Sequence, residues 1–371
     1  MEVSLYYLQQ EKRSEQNKMK KILLILFILF VSACSNQGES QNPPDLSEKP
    51  VDDGKAIPAV MNEISEGTIA EQLEAPWSIN LHKGVFYISE RGGTIAVVEN
   101  GKVERQAVSL SSPLSNAAEA GLLGFVLKED FNQSKEAYAY YTYDNRGAPF
   151  NRIVTLKQTG NRWEETETHL DNVPSGDYHH GGRLKISPAG QLFATIGDAI
   201  RPELSQDPQS YNGKVLRMEQ NSEFSIFTLG HRNPQGLAWS EEGTLFSSEH
   251  GSQANDEINL LVEGRNYGWP IIRGTEKKEG LETPILTSGP NETWAPSGMT
   301  FHKGKLYVAA LRGEAILVIN PDILEIERKI EGYGRVRDVY SDGKSLYFIT
   351  NNTDGRGSPS AKDDQLYKIP E

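Results

Sequence analysis

Two histidines, His179 and His180, stand side by side ahead of Gly181, Gly182 and Arg183. A neutral imidazole takes up a proton readily near pH 7, which suits a histidine in an open site to general base catalysis. In an extended segment neighbouring side chains point to opposite sides, so one of the pair can face a site while the other packs or lies at a rim. The two glycines would let the backbone turn close to a flat ligand. Far along the chain, Arg335 and Arg337 flank Val336. Alternate residues of a strand share a face, so both planar guanidiniums could pair with the carboxylates of one ligand. A solvated strand face is the other reading of that pair.

Residues so far apart need a scaffold that brings them together. The 371 residues include 34 Gly, 19 Pro and 15 Tyr, with few long apolar periodic runs. That composition points to an all-β chain of short strands and tight turns rather than a helical bundle. One pattern recurs from Pro76 onward: a small or apolar strand start, a Gly-containing turn, an apolar strand with aromatics, and a further alternating strand. Six copies cover residues 77–99, 121–156, 182–218, 236–262, 298–319 and 336–369. The turns LHKGV, SPAGQ, SEEGT, FHKGK and YSDGK sit at equivalent places between apolar runs, which is a hairpin signal. Small sheets repeating every roughly 40 to 60 residues cannot bury their faces alone. Stacked in a ring they make a six-bladed β-propeller of four-stranded antiparallel blades, the expected fold. Residues 63–73 and 365–369 both alternate like strands, and pairing in one blade would close the ring. A β-sandwich is the alternative architecture.

Residues 22–31 form the one strongly apolar stretch, preceded by Lys18, Lys20 and Lys21. It is too short to span a bilayer as a mature helix but has the length of a signal-peptide apolar region. It runs into Val31-Ser32-Ala33-Cys34, which resembles the lipobox of bacterial lipoproteins, where the cysteine is lipidated before cleavage. Cys34 is the only cysteine, so no disulfide supports the fold. The expected organisation is a signal peptide over 1–33, with Met19 as an alternative start, a flexible polar tether over 34–55 and one globular domain over 56–371. The protein would be exported and held at a membrane by lipid. A net charge of −13, with no long basic run in the body of the chain, argues against a nucleic-acid partner.

The stretches GLLGFVLKEDF (121–131), HHGGRLKISPAGQLFATIGD (179–198), NGKVLRM (212–218), TLGHRNPQGLAW (228–239), SEHGSQANDEINLLVEGRNYGWP (248–270) and RVRDV (335–339) resemble, in order, motifs of the pyrroloquinoline quinone (PQQ) dependent glucose and aldose sugar dehydrogenases. The resemblance runs over residues 74–368. It implies oxidation of a small sugar, or a related aldehyde, at the anomeric carbon by hydride transfer to PQQ, with His179 as the base. It assigns Arg232, Asn233, Arg335, Arg337 and Glu119 to the cofactor, whose three carboxylates suit arginine. It assigns the carbonyls of Gly251 and Ser252 to a Ca²⁺ that polarises the quinone. Glu257 and Tyr267 match positions that bind a further calcium in some members, with a turn carboxylate and a core aromatic as their alternatives. Asp256 reads as a ligand or a cap. Trp294 falls where the family places residues beside the sugar, and packing between blades explains it as well. The electron acceptor is not named by the sequence.

Four positions depart from the glucose-type pattern: Glu119 for Gln, Tyr178 for an acid, Ala199 for Gln, and Leu311 for Lys, with Arg312 beside it. A carboxylate at Glu119 costs affinity for an anionic cofactor unless it is protonated or paired. Two other functions therefore stand beside the dehydrogenase. One is a non-catalytic cell-surface propeller that binds carbohydrate or protein. The other is a calcium-dependent hydrolase or lactonase, for which the dense carboxylate and Asn set around such an ion is lacking.

Overall fold

The computed structural model describes residues 67–370 and the short strand Ala59–Val60, within a compact unit spanning Ala56–Glu371. The apolar stretch, Cys34 and the tether lie outside the described residues. Among the described residues strands dominate, the only α-helix is the single turn Phe131–Ser134, and no helix is long and apolar enough to cross a membrane. The all-β expectation holds.

The strands form one eight-stranded sheet, one five-stranded sheet and three four-stranded sheets. The eight-stranded sheet divides where Lys102–Ser109 meets Arg162–Pro174, because that ladder is parallel while the others in the sheet are antiparallel. On either side lies a four-stranded antiparallel meander. The first strands of the successive units are β1 (Pro76–His82), β2 (Leu122–Leu127), β3 (Gly181–Ile186), β4 (Pro234–Trp239), β5 (Pro296–His302) and β6 (Val336–Ser341). Each packs on the next, and β6 packs on β1, so the chain runs round a ring.

The repeats read in the sequence coincide with the first three strands of each unit. The fourth strands went unread for a physical reason. Lys102–Ser109 is largely open to solvent, Glu325–Glu331 is mostly half-buried and rich in charge, neither shows a sustained apolar alternation, and Leu286–Thr287 is only two residues long. The last unit takes its outer strand from the start of the domain: Thr68–Ala70 pairs antiparallel with Leu366–Ile369, Thr68 opposite Tyr367.

Apolar clusters fill the space between neighbouring units. Ile95 packs with Phe125 and Trp163, Tyr140 with Leu184 and Ile196, and Phe193 with Leu237 and Leu245. Phe246 packs with Met299 and Leu306, Tyr307 with Val339 and Phe348, and finally Ile349 and Leu366 pack back on Ile79 and Ile88. Burying each such side chain contributes about 1.5–3 kcal/mol, and only the neighbouring unit can cover it. The first strands, nearest the axis, instead bury polar residues, among them Ser78, Arg183, Gln235, Ser297, Arg337 and Asp338. The axis is therefore a polar seam, open to chemistry at its ends.

Candidate active site

His179 lies in the loop that leads into β3, with a left-handed backbone of φ 65°. The pair is thus not part of a strand, although the two imidazoles still diverge. His179 Nδ1 is 2.7 Å from Asp198 Oδ1, and its Nε2 is 2.9 Å from Arg232 Nη2. A carboxylate accepts and a guanidinium donates, so Nδ1 carries the proton and Nε2 presents its lone pair. Asp198 is buried, and its second oxygen accepts the indole N–H of Trp269 at 2.9 Å. Three loops thereby hold one neutral imidazole. His180 is a packing residue: it is buried, its Nδ1 is 2.7 Å from Ser175 Oγ, and burial pushes it down to about 4.

The two glycines after the pair take left-handed backbone conformations, φ 67° and 94°. A Cβ on Gly181 would lie 2.6 Å from the Thr195 carbonyl oxygen, and one on Gly182 2.9 Å from the Leu123 side chain. Close packing of the chain on itself leaves no room for a side chain at either, and Gly181 also lines a narrow cavity on the axis.

Beside this loop a narrow cavity on the axis is lined by Arg91, Glu119, His250, Arg337, Asp354 and Arg356 among others. Arg335 and Arg337 are buried, so the solvated-face reading fails. They do share a face: their Nη2 atoms lie 2.7 and 3.8 Å from the same Asp354 oxygen. Arg337 Nη1 also donates to Gln235 Oε1 at 3.1 Å, while its Nε is buried without a partner. Burial pulls this guanidinium down to about 9. Burial alone would raise Glu119, but the hydrogen bond from Arg356 at 2.7 Å and that arginine's charge outweigh it and hold the carboxyl at about 2. Glu119 is therefore ionised and paired, and it also accepts the His179 amide at 3.2 Å. Arg232 is not part of that lining; it donates to the carbonyl of His250, which is. The Asn233 side-chain oxygen is committed to the Gly181 amide at 3.0 Å, which ties two loops together.

Gly251 and Ser252 border a second small cavity with Arg232, Glu257, Trp269 and Arg273. Asp256 caps this loop: one oxygen accepts the Gly251 amide at 2.8 Å, the other the amides of Trp294 and Ala295 at 2.5 and 2.8 Å. Glu257 stands opposite Glu249 in the ladder, and burial, then the Glu249 charge, push it up to about 8. A buried excess of carboxylate beside loop carbonyls is a donor set that suits a hard divalent cation. Among the described residues no group of three or more His, Cys, Asp or Glu side chains is arranged to hold a metal, so carbonyls would have to complete the shell. Tyr267 is a core aromatic, stacked 4.9 Å from His231, with its hydroxyl donating to the Leu260 carbonyl at 2.6 Å. Trp294 is only 4% exposed and packs with Phe246, Ile258 and Met299 between units, outside the lining of both cavities. The packing alternative is the one its burial fits.

The sequence reading missed Asp198, Trp269, Asp354 and Arg356. Asp198 and Trp269 lay inside quoted motifs without a distinguishing pattern. Asp354 and Arg356 sit in the stretch NNTDGRGSPS, which reads only as a loop.

The site can be set beside known proteins. The chain is 29% identical over 356 residues to the aldose sugar dehydrogenase of Escherichia coli (strain K12), covering 81% of this chain and 92% of that one. It is 35% identical over 212 residues to quinoprotein glucose dehydrogenase B of Acinetobacter calcoaceticus, covering 47% of this chain and 44% of that one. The fold matches the PQQ-bound form of the aldose sugar dehydrogenase from Streptomyces coelicolor with a TM-score of 0.72 and 32% identity, over 81% of this chain and 95% of that one. Residues 73–358 match the family model for glucose/sorbosone dehydrogenase, and the chain belongs to that family.

Proposed function

We propose that the domain is a six-bladed β-propeller that oxidises an aldose sugar, or a related aldehyde, at its anomeric carbon, with PQQ as hydride acceptor and His179 as general base. The cyclic packing of the units and the likeness to a PQQ-bound relative support the blade and cofactor readings. One observation carries the catalytic reading: the His179 Nε2 lone pair, fixed by Asp198 beside an arginine-lined cavity.

The charges fit a planar tricarboxylate. Arg337 offers a buried N–H without a partner, and Arg335 and Arg91 stand with it around Asp354. The cavity itself measures only about 30 Å³, so entry requires a side chain to move. Arg356 is half exposed between two glycines, and its movement would have to carry the paired Glu119 with it. When bound, PQQ would supply the hydride acceptor, and a Ca²⁺ held by the carbonyls of Gly251 and Ser252 would polarise it.

The chain's own part is proton handling. Asp198 fixes the tautomer with Nδ1 protonated. The substrate hydroxyl takes the place of Arg232 at Nε2, and Nε2 removes its proton as hydride leaves the anomeric carbon. The imidazolium that results is stabilised by the buried Asp198 carboxylate, the division of labour found wherever a carboxylate backs a histidine base. The non-catalytic alternative drew on the lost Gln and Lys; the pairing of Glu119 with Arg356 answers the first, and the buried Leu311 in the cavity lining leaves the second in place. The test is to add PQQ and Ca²⁺ to the purified protein and follow the bound-quinone spectrum and aldose-dependent dye reduction.

Export and lipidation at Cys34 remain proposals that rest on residues 18–34 alone. Fatty-acid labelling that disappears in Cys34→Ser is the expected result, and unaltered labelling would exclude that site.

A further inference from the structure

A cavity of about 710 Å³ lies apart from the one beside His179. The His179 loop and the arginine cavity lie before or at the starts of the first strands. This cavity is lined by the residues that end them, including His82, Leu127, Ser187, Ser240, His302 and Ser341. It therefore opens at the other end of the axis.

Its floor is Arg183. This guanidinium lies 4.1 Å over the Trp77 ring, and its Nη1 donates to Asp338 Oδ2 at 3.1 Å and Ser78 Oγ at 3.2 Å. Its Nε donates to the Gln235 carbonyl at 2.8 Å, which closes the axis between the two ends. Arg183 is 4% exposed, and its Nη2 has no hydrogen-bond partner. Lys185 follows on the same face of β3, and it lines the same cavity. Its ammonium makes no hydrogen bond or ion pair, and lies 5.7 Å from the Tyr340 ring. Burial lowers both cations from their ordinary values, and Asp338 is the carboxylate that acts on both. That carboxylate already accepts the Ile79 amide at 3.0 Å as well as Arg183. A buried guanidinium and a half-buried ammonium thus share one carboxylate, and one positive charge at the floor is uncompensated. The other charges in the lining are Lys128, which is engaged by Glu136, and Glu129, Glu241 and Lys303, which are exposed.

The walls add hydroxyls with donors to spare. Ser187 Oγ accepts the Gln191 amide at 3.1 Å, and Ser240 Oγ accepts the amides of Glu242 and Thr244 at 3.2 Å each. Each therefore keeps its O–H free to donate, and Thr300 stands with them in the lining.

We propose that this cavity binds a small hydroxylated carboxylate, a sugar acid, with the carboxylate on Arg183 and Lys185 and the hydroxyls on Ser187, Ser240 and Thr300. The site is separate from the one at His179 and does not rest on the catalytic reading.

Calorimetric titration of the full chain with D-gluconate, D-glucitol, acetate and inorganic phosphate tests it. Gluconate should bind saturably at one site, glucitol should show no binding, and phosphate should bind at least about tenfold more weakly. Lys185→Met should weaken gluconate about tenfold or more at an unchanged Tm. Thr300→Val leaves both cations in place, so it should weaken gluconate several-fold and leave acetate unaffected, which keeps the test valid if the lysine variant misfolds. His179→Ala should bind gluconate as the wild type does. Absence of saturable gluconate binding, equal binding of phosphate, or loss of binding in His179→Ala would each overturn the proposal.

Discussion

His179 was legible as a residue, but its circumstances were not. The sequence placed it two residues ahead of Gly181 and suggested an extended segment, whereas a left-handed backbone and two long-range partners define it. Asp198 and Arg232 come from different units, and nothing in linear spacing brings an imidazole between them. Asp198→Asn keeps the shape but replaces the fixed acceptor by an amide that can present either group to Nδ1. Its kcat is expected to fall about a hundredfold or more, with cofactor affinity little changed, as read by dye reduction and PQQ titration. His180 makes a different prediction. Burial holds it at about 4 in the fold against 6.5 when unfolded. Between those values the unfolded chain binds a proton that the folded chain does not, so stability is full above pH 6.5 and is lost as the pH falls toward 4. Denaturant titrations at pH 7 and 4.5 should therefore show a smaller acid loss for His180→Gln than for the wild type.

At the level of elements, β6 shows how one strand serves both ends of the axis. Arg335 and Arg337 alternate onto the face that meets Asp354, and Asp338, between faces, turns to Arg183. The alternation of the arginines could be read from RVRD; the burial that makes it matter could not, because charged residues in a strand more often face water. The neighbouring strand must leave room. A Cβ on Gly298 of β5 would stand 1.7 Å from Asp338 Oδ1, so the carboxylate fits only over a glycine. Gly298→Ala is expected to cost about 1–3 kcal/mol or more through displacement of the Arg183–Asp338 pair, measured as a lower denaturation midpoint. Three strands of each unit were readable from apolar alternation and turns. The fourth was not, since an outer strand covers its neighbour with one face and offers charges such as those of Glu325–Glu331 to solvent.

For the whole molecule, closure is the decisive feature. The apolar cluster that joins Ile349 and Leu366 to Ile79 and Ile88 exists only if the last unit meets the first, and Thr68–Ala70 locks that meeting from the N-terminal side. Residues 63–73 and 365–369 alternated in the sequence, and the described part of that pairing is present. Removing residues 366–371 should therefore open the ring and abolish a single cooperative unfolding transition, with rapid proteolysis at the native temperature; an unchanged Tm would mean that closure contributes little. The same closure carries the account of function, because it brings a histidine from before β3, an arginine from before β4 and two arginines from the start of β6 to one end of one axis. The most direct measurement is aldose-dependent dye reduction by wild type and His179→Ala, both saturated with PQQ and Ca²⁺ and both shown by spectrum to hold the quinone. The account predicts turnover by the wild type and a loss of about a hundredfold or more in the variant at equal cofactor occupancy. Full activity of the cofactor-loaded His179→Ala protein, or no sugar oxidation by the loaded wild type, would contradict it.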